Sequence, residues 1–160
     1  MKSLTMFDQS EQGCVRELHR TRHGLPVQVE NGKLVLRIGP EVGAVLMPTA
    51  LGKLVRAELS AGALWPPIIA HRGTTWFVLT SRCDPGLDYC TPNPERFSAQ
   101  VTVMHPGSLI ILPDGVTCDG KPLRTWIDRP SGVGLPTVAE VLASVAKAIQ
   151  MQRRQSGHRP

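Results

Sequence analysis

Aromatic side chains are scarce in this chain: three Trp, three Phe and one Tyr among 160 residues. A core of ordinary size must then be filled mostly by Val, Leu, Ile and Ala. Long apolar runs are missing too. Nothing approaches the roughly 18 consecutive apolar residues a membrane-spanning helix needs, so no membrane partner is expected. The first residues, MKSLTMFDQSEQG, turn polar before an apolar signal-peptide core can form. The expected location is therefore cytoplasmic, and the four Cys are expected as reduced thiols, not as a disulfide framework. Acid is lacking at one end: from Lys147 onward the chain holds Lys147, Arg153, Arg154 and Arg159 and no Asp or Glu. Between Pro26 and Ala146 ten basic residues balance ten acidic ones, so the net charge of +5 belongs mostly to the tail. A basic tail of this kind is either a solvated, solubilising end or a contact for phosphate backbones and acidic surfaces.

Signatures of chemistry are equally thin. Gly52-Lys53 lacks the Gly-rich cradle that would make it a phosphate-binding loop. His19 and His23 have the i, i+4 spacing of a metal pair, but no Glu follows the first His. Cys83 and Cys90 are separated by six residues, where zinc knuckles use two to four. Asp84 and Asp88 are two carboxylates on a loop, a weak basis for a divalent cation. No catalytic residue, metal or cofactor is assigned on these grounds.

What is present points to an α+β domain. Length sets one domain, residues 10–150, with a flexible start (1–9) and a basic flexible tail (151–160). Fifteen Gly and 14 Pro require many turns and short elements. The expected architecture is a mostly antiparallel sheet of six to seven short strands packed by two to three helices. Ser10 to His23 reads as a helix with a thin apolar face. Asn31-Gly32 sits between Val27–Glu30 and Lys33–Ile38 and selects a type I′ hairpin, because both residues tolerate positive φ. Val42–Met47 reads as a strand. Thr49 reads as the N-cap of a helix over Ala50–Ser60, closed by Gly62. The stretch LWPPIIAHRGTTWFVLT, Leu64 to Thr80, reads as a central strand pair around the polar link His71–Thr75. Its Val78-Leu79 run suits a strand buried on both faces. Pro94–Phe97 reads as a helical turn, Val101–His105 and Leu109–Leu112 as a second hairpin, and Leu123–Ile127 as a last strand. Thr137 and Glu140 form a T-x-x-E capping box before a helix whose face is Val138, Val141, Leu142, Val145 and Ile149.

One composite order carries a resemblance. An apolar strand, Pro48-Thr49-Ala50-Leu51-Gly52, a helix, Pro66-Pro67-Ile68-Ile69-Ala70, and Arg72-Gly73 followed by Trp76-Phe77-Val78-Leu79 resemble the middle of actinobacterial proteins related to the N-terminal primase–polymerase (prim-pol) domain. Leu109–Pro113 followed by Arg124-Thr125-Trp126 is similar to the short stand-alone members. The resemblance spans Gly43 to Ile127 and implies a prim-pol/RRM-like sheet. Prim-pol catalysis needs paired acids on a strand to hold divalent metals. The corresponding strand here, Gly43–Met47, has none, and the histidine expected within Trp76–Leu79 is absent. The resemblance thus implies a scaffold without the catalytic acids.

The resulting expectation is a non-enzymatic binding or regulatory domain for nucleotide or nucleic acid. Its site residues would be Arg72, Trp76, Arg82, Arg124 and Trp126, which supply cations and stacking faces. Two other readings stay open. One is a protein-interaction module, including a homodimer, with no small ligand. The other is an enzyme built on the Ser81–Cys90 loop, with Cys83 or Cys90 as nucleophile and His71 or His105 as base.

Overall fold

The computed structural model describes residues 24–82, 93–113, 122–132 and 134–157. The expected helix at Ser10–His23 and the loop residues Cys83, Asp84, Asp88, Tyr89 and Cys90 lie outside them. The described chain is α+β, with three helices and two antiparallel sheets. Eight strands are present where six to seven in one sheet were expected.

The first sheet grows from the Asn31-Gly32 turn. Both residues have positive φ, 51° and 72°, and join β1 (Val27–Glu30) to β2 (Lys33–Arg37) in register. β7 (Leu109–Ile111) pairs on the far side of β2. The second sheet has five strands in the order β6-β3-β5-β4-β8: β3 (Val42–Pro48), β4 (Ile68–His71), β5 (Thr75–Ser81), β6 (Thr102–Val103) and β8 (Arg124–Asp128). β4 and β5 form the hairpin expected from the Leu64–Thr80 stretch.

The pair expected over Val101–Leu112 is not a hairpin. The turn exists, closed by Ser108 N–H donating to the His105 carbonyl at 3.1 Å with Gly107 at φ 89°. Its arms separate: β6 pairs with β3 and β7 with β2, in different sheets. The local turn signal was sound, but strands of two and three residues have too few mutual bonds to hold each other, and the longer strands capture them.

Two helices cover one face of the five-stranded sheet. α1 (Thr49–Ala61) buries Leu51, Gly52, Val55 and Leu59. The short α2 (Pro94–Ser98) is capped by Asn93, whose side chain accepts from Arg96 N–H. α3 (Val138–Ser156) starts at the Thr137–Glu140 capping box, with both reciprocal bonds made at 3.1 and 2.7 Å. It runs past Gln150 into the basic end, where Arg153 pairs with Glu95 of α2 at 2.8 Å. Leu51, Val55, Leu59, Val141 and Val145 meet Val45, Met47, Ile68, Trp76 and Val78 of the sheet. On the opposite face Val42, Ala44, Ile69 and Leu79 meet Leu34, Leu36 and Ile110 of the three-stranded sheet. The central sheet is thus buried from both sides, and Val78 and Leu79, neighbours in β5, belong to different cores.

Thr49 does not cap α1. Pro48 occupies that position with no side-chain bond. Thr49 is the first helical residue, and its hydroxyl donates to the Gly73 carbonyl at 2.9 Å while its N–H donates to Thr74 at 2.9 Å. It ties the helix start to the β4–β5 turn. At the other end, Arg56 of α1 makes two bonds to Asp128 of β8 at 2.6 and 2.7 Å.

Gly52 is the contact on which α1 seats. A Cβ there would lie 2.6 Å from Trp76 Cε3. Trp76 is 5% exposed and wedged in the core, so its ring cannot retreat. Gly52→Ala should therefore destabilise the fold by about 1–3 kcal/mol despite the better helix propensity of Ala. Gly62→Ala, whose Cβ would meet nothing closer than a carbonyl at 3.5 Å, should be far milder. Urea unfolding of the two variants checks the contrast.

Candidate functional site

Strand alternation sorts the expected site residues. Paired residues of antiparallel strands share a face, and neighbours along a strand take opposite faces. On the face of the five-stranded sheet away from the helices, one row runs Thr102, Leu46, Phe77, Ile69, Trp126 across β6, β3, β5, β4 and β8. The next row runs Pro48, Thr75, His71, Arg124. The three-stranded sheet covers only the half of this face that holds Val42, Ala44, Ile69 and Leu79. Beyond its border Leu46, Phe77, Thr75, His71, Arg124 and Trp126 are half-buried. Phe77 and Trp126 pack against the rim of that core. Standing two strands apart, they are spaced by about 10 Å.

Arg72 joins them from the β4–β5 turn. Arg72 and Gly73 have φ 51° and 70°, both positive, and Thr74 N–H donates back to His71 at 3.1 Å. A left-handed backbone at a residue with a side chain beyond Cβ costs roughly 1–2 kcal/mol. The turn is nevertheless held, because Arg72 N–H donates to the Leu123 carbonyl at 2.9 Å and Thr49 grips Gly73 and Thr74. The Arg72 side chain is exposed.

The structure therefore brings Arg72, Arg124 and Trp126 together and leaves two expected residues out. Trp76 points to the helix side and is buried against Gly52, so its ring offers no stacking face. Arg82 is exposed just past the far end of β5, about 20 Å along the strand from the turn. His71 and Phe77 complete the group. His71 lies in the polar link singled out in the sequence, and Phe77 is not among the expected site residues. The missed signal was parity: once Trp76 faces the helices, Phe77 must face away. His105 is exposed in the β6–β7 turn. On β8 the inward residues are Arg124 and Trp126, with Thr125 and Ile127 outward.

His71 is the electrostatic centre of this corner. Its Nδ1 is buried and has no hydrogen-bond partner among the described residues. Burial, then the Arg124 guanidinium, then that of Arg72 hold its pKa below the ordinary 6.5. The imidazole is therefore neutral at neutral pH, between two permanent cations. Among the described residues no group of three or more His, Cys, Asp or Glu could hold a metal, and no helix is long and apolar enough to cross a membrane. No protein-family model, curated sequence or solved structure matches this chain.

The lowered pKa has a stability consequence. The unfolded chain takes up the proton at about pH 6.5, before the folded chain does. The stability tied to His71 is fully present above that pH and declines as pH falls toward the lower folded value. The effect is modest, because the imidazole is only half-buried. His71→Gln should flatten this part of the acid-side decline, read as the pH dependence of the urea midpoint for both proteins.

Proposed function

We propose that this protein is a non-enzymatic binding domain for single-stranded nucleic acid or nucleotides on a prim-pol-like scaffold, with the open half of the five-stranded sheet as its interface. The observation that carries the reading is one sheet face presenting Phe77 and Trp126 beside Arg124 and the turn residue Arg72. Bases stack on aromatic rings whatever their identity, and guanidiniums at the edge of the same surface meet the phosphates. A flat sheet with aromatic centres and a cationic border suits an extended strand, whose bases are splayed, better than a duplex. The prim-pol relationship itself belongs to this proposal and rests on the motif order alone.

Fluorescence titration with oligothymidine at several salt concentrations tests the reading. Phe77→Ala and Trp126→Ala should each weaken binding by about 1–3 kcal/mol, a loss of roughly five- to hundredfold. Arg82→Ala, at the far end of β5, should leave it unchanged. Arg72→Asn separates folding from binding. It creates the same Asn-Gly pair that turns β1 into β2, so stability should hold or rise by up to about 1 kcal/mol. Affinity should fall, with the salt slope reduced by about one. Tight binding that is indifferent to Phe77, Trp126 and Arg72 would remove this face from consideration.

A further inference from the structure

We infer that His71, Arg72 and Arg124 form a subsite for a single tetrahedral oxyanion, a phosphate group, and that filling it favours protonation of His71. The inference builds on the proposed use of the sheet face, and its test separates the two.

Three strands of geometry converge on it. His71 and Arg124 are direct cross-strand partners on the open face. Arg72 follows His71 in the turn, and its backbone is pinned to Leu123, the residue just before Arg124. Among the described residues, the neighbours from the other packed elements are uncharged: Thr75 on β5, Thr74 in the turn and Thr49 at the start of α1. Only the two guanidiniums, among the described residues, act on the charge of the imidazole. The corner thus concentrates positive charge around a ring that carries a buried, unpartnered nitrogen. A buried polar atom without a partner costs about 1–3 kcal/mol and calls for an explanation of its own.

An oxyanion held by the two guanidiniums changes the electrostatic balance at this ring. It offsets the two cations that keep the imidazole neutral, so the cost of adding a third positive charge disappears. The proton binds one ring nitrogen, no bond to the anion's central atom forms, and the imidazolium becomes a third cationic contact. Between its free and occupied midpoints, His71 is mostly neutral in the free protein and mostly charged in the occupied one. Affinity must then rise as pH falls between the two midpoints.

The experiment is an NMR titration of the full chain, following the His71 ring signal, identified by its loss in His71→Gln. Sulfate is the first probe, because its own protonation lies far below the range studied. Sulfate should raise the His71 midpoint by about one pH unit at low ionic strength, and its affinity should increase about tenfold from roughly pH 7.5 to pH 5. Arg124→Gln should reduce both effects. Inorganic phosphate and oligothymidines with and without a 5′-phosphate identify the source of the group. A midpoint that rises only with the 5′-phosphorylated strand among the oligonucleotides assigns the subsite to a strand end. A rise with free phosphate and neither strand assigns it to a free oxyanion. A His71 midpoint unmoved by sulfate and phosphate, or an affinity independent of pH, overturns the inference. If oligothymidine binding still depends on Phe77 in that case, the platform stands without the subsite. If sulfate moves His71 while oligothymidine fails to bind, the subsite stands without the platform.

Discussion

The contact between Gly52 and the Trp76 ring fixes which way the central strand faces, and the rest of the molecule follows from it. β5 is the middle strand of five and is apolar on both sides. A continuous apolar run has little preference of its own between two registers, and a shift by one residue would exchange its faces. Gly52 breaks the tie. By leaving out a Cβ it opens a notch in α1 that accepts a large ring, and only Trp76 of β5 is seated there. Val78 then joins the helix-side core, and Phe77 and Leu79 go to the other side.

Among the described residues, the cover on that other side is shorter than the sheet. Three strands reach across one half of the five-stranded sheet and close over Ala44, Ile69 and Leu79. The second half carries Phe77 and Trp126 at the rim and a polar row beyond them. Burial therefore changes along a single strand: Leu79 is buried, and Phe77 and Thr75 are half-buried. The β4–β5 turn at the open end is not left loose. Thr49 binds two of its residues and Leu123 a third, so α1, β5 and β8 all converge on the corner where His71, Arg72 and Arg124 sit. Positive charge is held there by backbone bonds to rigid elements, which suits positioning better than a free loop tip does.

Features with a local cause were legible in the sequence. The Asn31-Gly32 hairpin needs two residues tolerant of positive φ, and the sequence displays them. The capping box of α3 and its apolar face are equally local, as is the short α2. Features set by distant partners were not. Thr49 has the chemistry of a cap, and only the fold shows its hydroxyl turned to Gly73 instead. Val101–Leu112 has the turn of a hairpin, but the choice of strand partner is made by β2 and β3. Trp76 and Trp126 look alike as stacking residues, yet they lie on opposite faces of the same sheet. Their separation depends on the notch at Gly52, which in the sequence is merely a glycine inside a helix. Arg72 and Arg124 were found because cations stand out. Phe77 was missed because an unbroken apolar run hides its own parity.

His71 and Arg72, adjacent in the chain, each carry a local cost. Arg72 adopts a left-handed backbone, as Asn31, Ala63 and Gln100 also do, and Asn or Gly would hold it at least cost. An apolar side chain, or one with a partner, would avoid the cost of the buried His71 nitrogen. Either cost alone would pass as noise in a protein of ordinary stability. They meet at one turn, opposite Arg124 on β8, and Arg72 and Arg124 both oppose charging of the imidazole. Both costs fall at one corner of the sheet, above two regular cores.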